Sequence, residues 1–157
     1  MGTTFVDIDD RGFWMRDGFL ELWLRLTALH IEDPPTPPSI ATRIRDQWLL
    51  ASRGYFNGCV PHDLGEFVRE PEGRRLILLA IRSLLLKLGD APDTLDAGVL
   101  NLLGFEARFN RGIEKWRLVE ISQAFFDLIE GRIVSAANST SFMPGYRERP
   151  GQIEPAG

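Results

Sequence analysis

From Asp10 to His30 the chain reads DRGFWMRDGFLELWLRLTALH, with apolar positions recurring at helical spacing. On a helical wheel Asp17, Glu21, Arg25 and Glu32 gather into one narrow polar arc, while Leu20, Leu22, Leu24, Leu26 and Leu29 spread around nearly all the rest. So little polar surface predicts the central helix of a bundle, touched on several sides. Asp9 or Asp10 is the expected cap. The run DPPTPP at 33–38 is the expected stop, since proline lacks a backbone donor and restricts its predecessor.

Further helices follow from the same periodicity. Ile40, Ile44, Trp48 and then Leu49 predict one after Ser39 that ends near Arg53-Gly54. The stretch GYFNGCVPHDLGEF (54–67) reads as a turn leading into a short helix over 61–69. PEGRRLILLAIRSLLLKLGD (71–90) is the clearest helix, with Pro71 suited to its first turn and Gly89 expected as its left-handed end. DTLDAGVLNLLG predicts a shorter helix capped by Asp93 or Thr94 and ended by Gly104. A last helix is expected from Ile113 to about Glu130, stopped by Gly131. From Val134 onward Ser, Pro and Gly dominate without any period. The expected fold is therefore all-α. It is an irregular five- or six-helix bundle over residues 1–132, built round the hydrophobic N-terminal helix, with a flexible Ser/Pro/Gly-rich tail over 133–157.

Composition narrows the function classes. A chain of 157 residues suits one domain, and its formal net charge of −4 speaks against nucleic acid as a partner, because phosphate binding needs a basic patch. The same charge suits a basic protein. One cysteine makes no intrachain disulfide. The start MGTTFVDIDDRGF carries acids where a signal peptide is basic, and Val6 stands where myristoylation prefers Ser or Thr. The apolar cluster LILLAIRSLLLKL is broken by Arg82 and Lys87 and is too short to span a bilayer. A cytoplasmic protein with no membrane partner is expected.

Candidate chemistry is sparse. Cys59 and His62, three residues apart, are half of a tetrahedral zinc set that His30 and a carboxylate would complete; they are also a nucleophile–base pair beside Asp63. The plainer reading is a structured loop, with Asn57-Gly58 as its turn, Tyr55, Phe56 and Val60 anchoring it to the core and Cys59 as a small buried apolar residue. Arg16, Trp23, Thr27 and His30 share one side of the first helix, either as a pocket for an anionic small molecule or as a snorkelling arginine and a satisfied core histidine. The last helix buries Leu118, Ile121, Phe125, Leu128 and Ile129, and gathers Trp116, Glu120, Gln123, Asp127 and Glu130 opposite. A tryptophan among acids has the composition of an interface anchor. Leu79 and Leu86 fall between Arg75 and Arg82, as a covered face or a self-association patch that would build a homodimer. Walker, dinucleotide, H-E-x-x-H, G-x-S-x-G and EF-hand motifs are absent, and neither a cofactor nor a metal is expected.

The segments GFWMRDGFLELWL (12–24), IRDQWLLASRGYFNGCV (44–60) and LNLLG (100–104) resemble a pattern in small stand-alone bacterial proteins of unassigned function. The likeness spans most of residues 12–131 and brings no catalytic residue with it. In size and charge the chain more loosely resembles the immunity proteins of bacterial toxin systems. The resulting expectation is a non-enzymatic protein–protein interaction module of immunity or antitoxin type, which neutralises a basic toxin through Trp116, Glu120, Asp127 and Glu130. The alternative is a small-molecule binder or enzyme using Arg16, Trp23 and His30, or Cys59 and His62.

Overall fold

A computed structural model describes residues 2–32, 39–105 and 108–146. The proline run at 33–38 and the last part of the expected tail, 147–157, lie outside the described residues. The chain opens with an antiparallel hairpin, β1 (Thr3–Ile8) and β2 (Arg11–Arg16), and helix α1 (Asp17–Ala28) follows directly. Then come α2 (Ile40–Ala51), α3 (Leu64–Arg69), α4 (Pro71–Asp90), β3 (Thr94–Leu95), α5 (Ala97–Leu100) with a 3-10 turn over Asn101–Leu103, β4 (Ile113–Glu114) and α6 (Lys115–Ile129). The all-α expectation is thus corrected: among the described residues six helices stand with two small antiparallel hairpins, β1–β2 and β3–β4.

The first hairpin replaces what the periodicity predicts as the opening turns of a helix. Thr4, Val6 and Ile8 point inward from β1 and Phe13 and Met15 from β2. Phe5 and Trp14 pair across the outer face, with ring centroids 5.2 Å apart. Asp9 and Asp10 do not cap a helix. Both have positive φ (51° and 67°) between paired Ile8 and Arg11, the backbone of a two-residue hairpin turn whose twist matches that of the strands. Gly12 is obligatory for a steric reason: a Cβ there would lie 1.7 Å from the Val6 carbonyl oxygen.

Helix α1 begins only at Asp17, after an extended Arg16. The Asp17 carboxylate is buried, accepting from the Thr4 hydroxyl at 2.7 Å and the Gly58 amide at 2.6 Å, while Thr4 Oγ1 also accepts from the Val60 amide at 3.1 Å. One acid therefore ties the hairpin, α1 and the 54–67 loop together. The helix packs on α2, α4 and α6. Its Trp23 stacks on Phe125 of α6 (3.7 Å) and leans on Trp48 of α2 (5.8 Å), and Phe13 meets Phe125 edge-on (5.4 Å). At its far end Arg25 donates to Ser52 Oγ, the Leu103 carbonyl and the Leu49 carbonyl, so one guanidinium closes α2 and the 3-10 turn onto α1.

Further boundaries differ from the sequence pattern. Ile113 and Glu114, expected to open the last helix, form β4, so α6 starts at Lys115, and α3 starts at Leu64 rather than 61. Thr94 and Leu95 pair with Glu114 and Ile113, so Asp96 rather than Asp93 or Thr94 caps α5, accepting from the Gly98 amide at 3.1 Å. Gly89 lies inside α4, which ends at Asp90 with an extended Ala91. Among the described residues no helix is long and apolar enough to cross a membrane.

Candidate binding groove on α6

The outer face of α6 owes its shape to the chain on either side of it. The β3–β4 pairing sets the start, because Glu114 is extended and the Lys115 amide donates to the Asp93 carbonyl at 2.8 Å. Leu118, Ile121, Ser122, Phe125 and Leu128 turn into the core, with Ser122 Oγ accepting from Trp23 Nε1 at 2.9 Å. Trp116 and Val119 stay 39% and 37% exposed. After Ile129 the chain reverses at Gly131, and the Arg132 guanidinium reaches back to Asp127 at 3.0 Å.

Residues 133–146 then run back as a strap over β2 and α6. Arg11 holds the Leu128 and Ile133 carbonyls, the Gly12 amide donates to Ser135, and Trp14 Nε1 donates to the Ala137 carbonyl at 2.9 Å. Farther on, Met143–Tyr146 form a turn closed by the Tyr146 amide and the Met143 carbonyl, with Gly145 at φ 75°. Pro144 followed by a positive-φ glycine is the signature of a type II turn.

Between strap, α6 and the second hairpin lies a cavity of about 1140 Å³. Trp116, Val119, Ala124, Ile133, Val134 and Phe142 give it an apolar lining. Asp93, Glu114, Glu120 and Asp127 place four carboxylates on it against two cations, Lys115 and Arg132. The charges are partnered locally on both sides: Lys115 Nζ donates to the Ala91 carbonyl and stands 4.0 Å from Asp93, Arg132 pairs with Asp127, and Glu114 pairs with Arg117 of α6. The groove is open, predominantly apolar and acid-rimmed, which suits capture of a chain segment.

Three of the four interface residues read from the sequence, Trp116, Glu120 and Asp127, line this groove together. Glu130 does not; its carboxylate pairs with Arg74 of α4 at 3.2 Å and braces the two helices. Around Trp116 the Arg117 guanidinium stands 4.7 Å from the ring centre.

The other candidates occupy separate settings. Arg16 is in β2, not on the helix, and covers the Tyr146 ring at 4.1 Å. Trp23 is wholly buried. His30, beyond the end of α1, shares a 2.8 Å hydrogen bond with Ser83, and burial together with nearby Lys87 lowers its pKa. Cys59 is exposed, its thiol directed to the Asn57 carbonyl at 3.8 Å. His62 is buried, and its Nδ1 accepts from the Leu64 amide at 3.0 Å at the start of α3. Burial holds the imidazole below its usual pKa despite the opposing pull of Asp7. The 54–67 stretch is thus a fastened interhelical loop, with its carbonyls at Pro61 and His62 taken by Gln47 and Trp48. Val60 is buried, but Tyr55 and Cys59 are exposed rather than packed in the core. Among the described residues no cluster of three or more His, Cys, Asp or Glu is placed to hold a metal ion.

Sequence reasoning missed the strap that makes the α6 face concave. Its one legible signal was Met-Pro-Gly-Tyr at 143–146, a turn signature inside a segment otherwise without pattern. No family model, curated protein or solved structure matches this chain, and the groove is read on its own chemistry.

Proposed function

We propose that this protein is a non-enzymatic binding module whose α6 groove takes a basic, apolar-anchored segment of another protein. The observation that carries the reading is the juxtaposition of Trp116, Val119 and Phe142 with four carboxylates on one concave surface of a chain with net charge −4. The partner's cations are drawn in by opposite charge, which speeds encounter and sets register. Apolar side chains seated on Trp116 then supply most of the affinity, as buried aromatic anchors do. Two copies would bring two acidic grooves together, so a second copy is the poorer occupant. In its most specific form the module is a cytoplasmic immunity or antitoxin protein that covers the basic active site of a toxin. The alternative sites are not proposed: Arg16 lies on β2 over Tyr146 while Trp23 is wholly buried, and Cys59 is exposed while His62 is buried.

A photo-crosslinking side chain at Val119, compared with one at the exposed Leu86 of α4, tests the groove in the source cells. The expected result is a single basic protein crosslinked from position 119, not from 86, with a yield that falls as salt rises. Equal capture from both positions, or none from 119, refutes the groove.

A further inference from the structure

Glu120 reads as a contact for a partner's cation, yet its position in the fold gives it another task. Its Oε1 accepts the Gly145 amide at 3.0 Å, and Arg117 Nη1, one turn earlier on α6, donates to the Gly145 carbonyl at 2.6 Å. Both peptide groups of one residue are thereby held by α6. Arg117 is itself fixed by Glu114. Gly145 fits there because a Cβ would lie 2.6 Å from Ile121 Cδ1, and its φ of 75° is one that side chains avoid. Pro144 and Gly145 are buried, and Arg16 closes over Tyr146. Between Ala137 and this turn, the Ser139 and Thr140 amides donate to the Ala136 carbonyl, within the strap. The groove wall bearing Thr140 and Phe142 is therefore held from its ends.

We infer that Glu120 and Arg117 are positioning residues that buckle the 143–146 turn to α6 and so fix the strap wall of the groove. The consequence for binding rests on the groove reading; the buckle itself does not. It also follows that reversing the charge of Glu120 removes a strap anchor and does not isolate an electrostatic contact.

Hydrogen exchange on the full chain tests this in Glu120→Ala and Glu120→Gln. The amide oxygen of Gln accepts the same hydrogen bond, whereas Ala accepts none. Glu120→Ala is expected to speed exchange over 138–146 by roughly tenfold, with core amides near Phe125 unchanged and Glu120→Gln close to the parent. Unchanged exchange in Glu120→Ala overturns the buckle, as does acceleration spread evenly along α6. Crosslinking from Val119 in Glu120→Ala separates the two ideas. A loosened strap with reduced capture supports both, and a loosened strap with undiminished capture keeps the buckle but sinks the groove as the partner's seat.

Discussion

Glu21 is half-buried on α1 one turn beyond the buried Asp17, and it faces the end of α2 near Gly54. Burial first, and the Asp17 charge second, raise its pKa from 4.5 to about 7. Its neighbour at the next turn, Arg25, is committed to Ser52 and two carbonyls, and Arg53 lies near that guanidinium. A carboxyl that is neutral in the fold and ionised in the unfolded chain takes up a proton on folding between pH 4.5 and 7. Stability from this group is fully present below pH 4.5 and is lost as the pH climbs through 7. Unscreened, the shift corresponds to about 3 kcal/mol; with solvent reaching half the side chain, about 1–2 kcal/mol is the realistic size. Glu21→Gln removes the titration and keeps the shape. Relative to the parent it is expected to raise the melting temperature by about 2–8 °C at pH 8 and to change it little at pH 4. Comparing the two proteins cancels the histidines, whose lowered pKa values bias stability in the opposite sense. Parallel melts from pH 4 to 8 decide the matter. A difference that stays flat with pH, or a parent more stable at pH 8, refutes the assignment.

Asp17→Ala strips the acceptor shared by Thr4 and the Gly58 amide and is expected to cost about 3 kcal/mol in urea unfolding, with Asp17→Asn losing roughly half of that. Gly12→Ala pushes a methyl into the Val6 carbonyl and is expected to cost about 2 kcal/mol or more, read as a lower urea midpoint and lost near-UV signal from Trp14. Trp116→Ala is expected to cost about 1 kcal/mol of stability, because the ring is partly covered and carries Arg117, while weakening partner capture by about 2 kcal/mol or more in a titration. Equal losses in stability and capture would make Trp116 a packing residue.

The helical part of the fold is written in the sequence where burial is one-sided. Ser39 caps α2 with its side chain, Pro71 opens α4 and Gly131 ends α6 with φ 82° because these signals act locally. The first hairpin escaped because Gly12-Phe13-Trp14-Met15 is an unbroken apolar run. Such a run hides the alternation of a strand and merges with the leucine-rich helix behind it. An Asp-Asp turn also lacks the glycine that marks most two-residue hairpins. On α6 the polar face could be read from spacing, whereas the depth of the groove could not. That depth comes from Gly12, Trp14, Glu120 and Arg117 fastening a distant, patternless segment, and periodicity carries no information about such pairings.

The hairpin at the start of the chain has its free edge finished by the strap near the described end. Arg11 hydrogen bonds to carbonyls at positions 128 and 133, and Gly12 and Trp14 to positions 135 and 137. On a ribosome these residues emerge more than a hundred residues ahead of their partners. Until α6 arrives, Phe13 has no Phe125 to close over it, and the outer edge of β2 remains open to any other strand. Assembly is therefore circular in order: a segment made ahead of all the described helices is completed only after the last of them. Closing that long loop carries an entropic cost that no single helix of the fold has to meet.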